Sequence, residues 1–136
     1  MLPELPGYPV SRLRRLRRTP ALRRLSSDVQ VRRSDLVLPM FVREGVTDPV
    51  PIASMPGVVQ HTLDSLVKAA VEATTAGVGG LMLFGIPEHK DALGRGADDP
   101  DGVLNVALRR LHAELGEDTV LMADLCLDEF TDHGHC

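Results

Sequence analysis

Hydrophobic positions along the chain fall into two kinds of run. Leu36 to Val42 (LVLPMFV), Gly80 to Ile86 (GLMLFGI) and Thr119 to Asp124 (TVLMAD) are short and almost continuously apolar. Runs of that length without alternation predict strands buried on both faces, as in a parallel sheet. Pro39 weakens the first of them, because proline cannot donate to a ladder. Between the strands the period changes. Thr62 to Ala76 carries Leu63, Leu66, Val67, Ala70, Val71 and Thr74 on one side, with Thr62 as a cap and Gly77 as the stop. Val103 to Gly116 does the same with Leu104, Val106, Ala107, Leu108, Leu111 and Leu115, and Asp101 stands before it, where a carboxylate favours a helix start. Gly45 to Gly57, with Pro49, Pro51 and Pro56, reads as an irregular connection, and Pro87 to Gly102 as a polar loop.

The resulting order is strand, helix, strand, helix, strand. Buried strands joined through helices and short turns predict parallel βαβ units. An open doubly wound sheet and the start of a (β/α)8 barrel both satisfy that order. No G-x-G-x-x-G follows the first strand, so nothing supports a dinucleotide site. The glycines and acids of the 87–102 loop match neither a phosphate loop nor an EF-hand. Lys90 in that loop, and Arg109 and Arg110 in the second helix, read as solvated side chains.

Upstream of the first strand the pattern differs. Residues 1–11 hold three prolines and a glycine. Arg12 to Arg24 (RLRRLRRTPALRR) contains seven arginines with a thin stripe of leucines, and Thr19-Pro20 predicts a short helix from about Pro20 to Ser26. Such a stretch reads as an arm, spanning residues 1–34, ahead of an α/β unit over 35–136. A basic run can also be a nucleic-acid contact. The net charge of −4 and the lack of base-stacking aromatics in the remaining chain argue against that partner. The N-terminus has no apolar stretch after its charges, so it does not read as a secretory signal. The longest apolar run, Gly79 to Ile86, is too short to span a bilayer, so no membrane partner is expected. Hydrophobic content of 43% provides for a core, and 25% charged residues suit a solvated surface.

The chemistry concentrates in Val120 to Cys136, VLMADLCLDEFTDHGHC, which holds both cysteines. Asp124, Cys126 and Asp128 alternate, so an extended backbone would send all three the same way. A loop through Thr131 and Gly134 would return Cys136 beside them, with His133 and His135 adjacent. Thiolates, carboxylates and imidazoles together suit a borderline-soft divalent ion, zinc first. Two thiols in one carboxylate-rich loop point to reduced cysteines in a cytoplasmic setting, against the alternatives of a disulfide or simple burial. For Asp124 a strand-end carboxylate bonded to backbone amides is the plain alternative to a catalytic role. The two histidines are as readily structural as ligating.

The segment A-D-L-C-L-D-E-F-T-D-H-G-H-C resembles the metal-binding segment of porphobilinogen synthase (5-aminolevulinate dehydratase), whose zinc-dependent members read D-x-C-x-C-x-x-T-x-H-G-H-C. Asp124, Cys126, Thr131, His133, Gly134, His135 and Cys136 match, and Asp128 stands where the middle cysteine would be. The L-V-L-P-M-F-V run with Gly45, the I-A-S-M-P-G-V segment and the K-D-x-x-G of Lys90 to Gly94 are also similar to the family. The resemblance implies the N-terminal part of a (β/α)8 barrel, with the chemistry at the C-terminal strand ends. It implies condensation of two 5-aminolevulinate molecules to porphobilinogen, and Zn2+ (or magnesium as the alternative or an additional ion) held by Cys126, Cys136, Asp128 and His135. Asp124 would act on the substrate amine or on proton traffic. The arginine-rich arm would embrace a neighbour in a homo-oligomer, an octamer by resemblance.

Two lysines would hold the substrates as Schiff bases. Lys68 and Lys90 are the only lysines, and neither falls at a strand end. A barrel needs about 250 residues, so the chain reads as an N-terminal fragment that is inactive by itself, with an unpaired edge and uncovered apolar faces. A small zinc-folded module and a basic-arm nucleic-acid binder are the alternative readings.

Overall fold

The computed structural model describes residues 6–7, 9–11 and 13–135, with Leu13 described by its backbone alone. Cys136 therefore lies outside the described residues. Two compact units are present, Met1–Val31 and Arg32–Cys136.

In the first unit a 3-10 turn, Leu13–Arg17, precedes helix α1, Pro20–Leu25. Thr19 is its N-cap: Thr19 Oγ1 accepts a hydrogen bond from the Leu22 amide at 3.1 Å, and proline stands at the first helical position. The arm buries little of its own apolar surface. Leu25, Val29 and Val31 are all exposed.

The second unit is a five-stranded sheet covered on one face by two helices. Its strands are β1 (Val37–Arg43), β2 (Val50–Pro51), β3 (Val59–His61), β4 (Gly80–Ile86) and β5 (Val120–Ala123). The helices are α2 (Leu63–Thr75) and α3 (Val103–Leu115). The sheet order is β2-β3-β1-β4-β5. β1, β4 and β5 run parallel in unbroken register, from Val37 opposite Gly80 to Arg43 opposite Ile86, and from Gly80 opposite Val120 to Leu83 opposite Ala123. This is the expected βαβ core.

The structure adds a feature inside the proline-rich connection. β2 and β3 pair antiparallel, Val50 opposite Gln60, and β3 joins β1 in parallel at Phe41 and Val42. The sheet is therefore mixed. β3 reaches only the C-terminal half of β1, so at Pro39 the strand has β4 alone as a neighbour, and the missing donor of proline need not interrupt a second ladder.

Register decides what each face buries. Met40 and Val42 of β1 and Leu81 and Leu83 of β4 point toward the helices and are buried. They meet Leu66 and Ala70 of α2 and Val103, Leu104, Ala107 and Leu111 of α3 in one core. Gly85 lets α3 approach: an added Cβ would lie 2.7 Å from Leu104 Cβ and 3.3 Å from Phe130 Cζ. α2 starts with a reciprocal cap, in which Ser65 N–H donates to Thr62 Oγ1 at 3.1 Å and Thr62 N–H donates to Ser65 Oγ at 3.0 Å. At the start of α3 the N-cap is Gly102, without a side-chain bond, and Asp101 instead faces Arg109. Arg110 is exposed and pairs with Asp64 of α2. The opposite face of the sheet carries Val37, Phe41, Phe84, Ile86, Val120 and Met122. Phe41 stacks on Phe84 with ring centroids 5.1 Å apart, yet Val37 and Val120 remain 49% and 59% exposed. No described helix is long and apolar enough to cross a membrane.

A candidate metal centre at the C-terminal strand ends

β5 ends at Ala123, but the chain stays in line with the sheet for one more residue, since Asp124 N–H donates to Leu83 O at 3.1 Å. Asp124 shares parity with Met122 and so leaves on the sheet face that α2 and α3 do not cover. The segment then turns. Phe130 N–H and Thr131 N–H both donate to Leu127 O at 2.9 Å, and Phe130 is driven into the core at 2% exposure. Burying that ring gives about 1.5–3 kcal/mol of hydrophobic free energy, which holds the turn closed.

The turn, rather than a continued extended strand, brings Asp128 back to Asp124 and adds Glu129. Carboxylate oxygens of Asp124, Asp128 and Glu129 all lie within 4.8 Å of one another. Among the described residues, Asp128 Oδ1 and Glu129 Oε2 are buried without a hydrogen-bond partner. Burial first, then the charges of Asp124 and Asp128, push the Glu129 carboxyl up to about 7, against an opposing pull from Lys90. Buried, mutually repelling oxygens without donors are what a divalent cation would satisfy, and oxygen sets of this kind suit hard or borderline ions.

The other sequence candidates sit around this group. The Cys126 amide donates to Asp124 Oδ1 at 3.3 Å, so one carboxylate oxygen is engaged with backbone. Cys126 is half-buried and is not a member of the carboxylate group. His135 is exposed and also outside it; its Nδ1 lies 3.0 Å from Nδ1 of His133, with the rings tilted and 4.5 Å apart. Thr131, 4% exposed, donates from Oγ1 to His135 O at 3.2 Å. Cys136 is not among the described residues. Glu129 did not figure among the sequence candidates, because strict alternation assigns it to the far side. Its signal was its place beside Phe130, a large apolar residue that has to reach the core. Lys90 is exposed, as expected, and lines a cavity of about 350 Å³ with Arg43, Glu44 and Glu88 at the C-terminal ends of β1 and β4.

A mixed sheet with a parallel βαβ core, and with carboxylates gathered at the C-terminal end of β5, has the architecture of part of a (β/α)8 barrel, with a group at its mouth that could hold a cation. The family pattern described as "Delta-aminolevulinic acid dehydratase" matches residues 10–136, and the chain belongs to that family. Among curated relatives it is 60% identical over 132 residues to the delta-aminolevulinic acid dehydratase of Streptomyces coelicolor and 64% identical over 132 residues to that of Mycobacterium leprae. Each match covers 96% of this chain and 40% of the relative. The chain thus spans well under half the length of these relatives. The crystal structure of delta-aminolevulinic acid dehydratase from Toxoplasma gondii, in complex with the reaction product porphobilinogen, superposes with a TM-score of 0.80 at 35% identity. That match covers 92% of this chain and 36% of the other.

Proposed function

We propose that this segment supplies the metal-binding part of a porphobilinogen synthase, a lyase that condenses two 5-aminolevulinate molecules into porphobilinogen. The observation that carries the reading is the convergence of Asp124, Asp128 and Glu129 at the strand ends of a chain that belongs to the dehydratase family. Asp128 and Glu129 would hold Zn2+, or Mg2+ as the alternative, with Cys126, His135 and Cys136 able to join from the surrounding loop. A bound dication would supply Lewis acidity toward a substrate carbonyl. Asp124 keeps one oxygen on the Cys126 amide and would use its other to orient a substrate amine or take its proton. The covered face and the buried Phe130 keep the turn fixed while this happens. Schiff-base lysines would come from outside residues 1–136. The arm, with exposed Leu25, Val29 and Val31 among its arginines, would dock on a neighbouring copy in a homo-octamer, in a cytoplasmic setting that keeps the thiols reduced.

The test is a chimera that joins residues 1–136 to the remaining part of the Streptomyces coelicolor relative. It should form porphobilinogen from 5-aminolevulinate, lose that activity on Asp124→Ala, and lose bound metal on Glu129→Ala or Cys126→Ala. An active chimera indifferent to Asp124→Ala would remove that residue from the chemistry. Unchanged metal content by elemental analysis would remove the proposed ligands.

A further inference from the structure

The 87–102 loop carries a contact that the site does not absorb. Asp91 and Thr131 form an isolated parallel bridge between two loops. Asp91 N–H donates to Phe130 O at 3.3 Å, and Asp91 O accepts from Asp132 N–H at 3.2 Å. The main chain of one residue therefore grips the turn on both sides of Thr131, directly after the acids at 128 and 129. The Asp91 side chain folds its own loop to make this grip: Oδ1 accepts from Leu93 N–H at 2.7 Å and from Arg95 N–H at 3.4 Å. Gly94, at φ +63°, completes the fit, since an added Cβ would meet Thr131 Cγ2 at 3.4 Å and Phe130 Cβ at 3.5 Å.

We infer that Asp91 is a positioning residue: by closing its loop onto Phe130–Asp132 it holds the 127–131 turn so that Asp128 and Glu129 stay beside Asp124. The inference rests on the metal reading above. Asp91 touches none of the three carboxylates and acts only through the bridge. Without its side chain, the amides of Leu93 and Arg95 turn to water, the loop peels away, and the turn keeps only Phe130 to anchor it. The bonds that Asp91 accepts, from Leu93 first, hold its carboxyl below the usual range, as an engaged carboxylate should be.

The experiment compares Asp91→Ala and Asp91→Asn in the full-length chain carrying this segment. Asparagine keeps the accepting Oδ1 and so should act as the rescue. Zn2+ alone is titrated against a chromophoric chelator, and hydrogen exchange of the 128–135 peptide is followed in the metal-free protein. Asp91→Ala should weaken Zn2+ binding about 10–100-fold, the usual effect of losing a group that orients metal ligands, while Asp91→Asn stays within about threefold of wild type. Exchange of the 128–135 peptide should accelerate in the alanine variant and return to the wild-type rate in the asparagine variant. Unchanged Zn2+ affinity or unchanged exchange in Asp91→Ala, or an asparagine variant as impaired as alanine, overturns the proposal. If Asp91→Ala does not fold, Gly94→Ala takes its place and should give the same paired loss. A wild-type protein that takes up no Zn2+ overturns the metal reading instead, and the exchange rates then decide the role of Asp91 by themselves.

Discussion

Residues 1–136 expressed alone should not unfold in a single sharp transition. The perturbation is the absence of anything that covers the second sheet face. Val37 and Val120 on that face are 49% and 59% exposed. Covering the open half of each would add roughly half of the 1.5–3 kcal/mol that full burial gives, about 1.5–3 kcal/mol for the pair. That is a sizeable part of the 5–15 kcal/mol by which a typical domain is stable.

The outer edge of β5 adds to this deficit, because among the described residues it ends the sheet with its ladder groups unpaired. The assay is urea unfolding followed by far-ultraviolet circular dichroism, with dye binding to exposed apolar surface and sedimentation on the same sample. The expected result is a broad transition, strong dye fluorescence and concentration-dependent association. A monomer that binds no dye and melts sharply and reversibly would refute the reasoning. It would mean that the helix-covered face suffices for a stable core.

Three further predictions concern the full-length protein. Burial lowers the pKa of His61, half-buried and 3.1 Å from Ser65 Oγ, so the unfolded chain binds its proton first as pH falls. The stability this neutral ring allows is fully present above the ordinary value of 6.5 and is lost on acidification below it; His61→Asn should flatten the pH dependence of the urea midpoint, and an unaltered profile would count against the assignment. Gly85→Ala puts a methyl 2.7 Å from Leu104 Cβ, and over-packing of this kind should cost about 1–3 kcal/mol, read as a lower urea midpoint with weaker Zn2+ binding because Phe130 must move; an unshifted midpoint would show that α3 gives way freely. Asp128→Cys replaces a hard donor with a soft one and should raise the preference for Zn2+ over Mg2+ in competition, an effect that fails to appear if residue 128 is not a ligand.

Much of the fold was legible because its elements carry their own signals. β4 runs from Gly80 to Ile86, the span its apolar run predicts, and α2 and α3 differ from their predicted limits only at the terminal residues. β1 starts one residue later than its apolar run and ends one residue beyond it, at Arg43, because pairing with Ile86 rather than side-chain polarity sets its limit. β2 and β3 escaped for a related reason. Two and three residues long, with Pro51 in one of them, they have no period to read and exist through their partners. The same limit applies to the site. Residue types and spacing pointed to Asp124 and Asp128 as neighbours, but by an extended path that stops at Cys126. The actual path is a turn closed on Leu127 O, and such a turn brings Glu129 in and leaves Cys126 outside the group.

That difference bears on what the site can select. In an extended segment, side-chain parity would place a thiol between two carboxylates, and the ion would meet sulfur and oxygen at once. In the turn, three carboxylates meet first, and the softer donors are reached only from the loop around them. The oxygen set carries three negative charges when ionised, and burial first, then repulsion from Asp124 and Asp128, raise the Glu129 carboxyl to about 7. A dication would therefore relieve a burial and repulsion that the fold itself creates, whatever the softer donors added. The buried Phe130 and the bridge to Asp91 keep that repulsion from relaxing by opening the turn. Affinity for an ion would in this sense be set by residues that bind none of it, and substitutions at Phe130 or Gly94 should lower metal uptake before they affect the sheet.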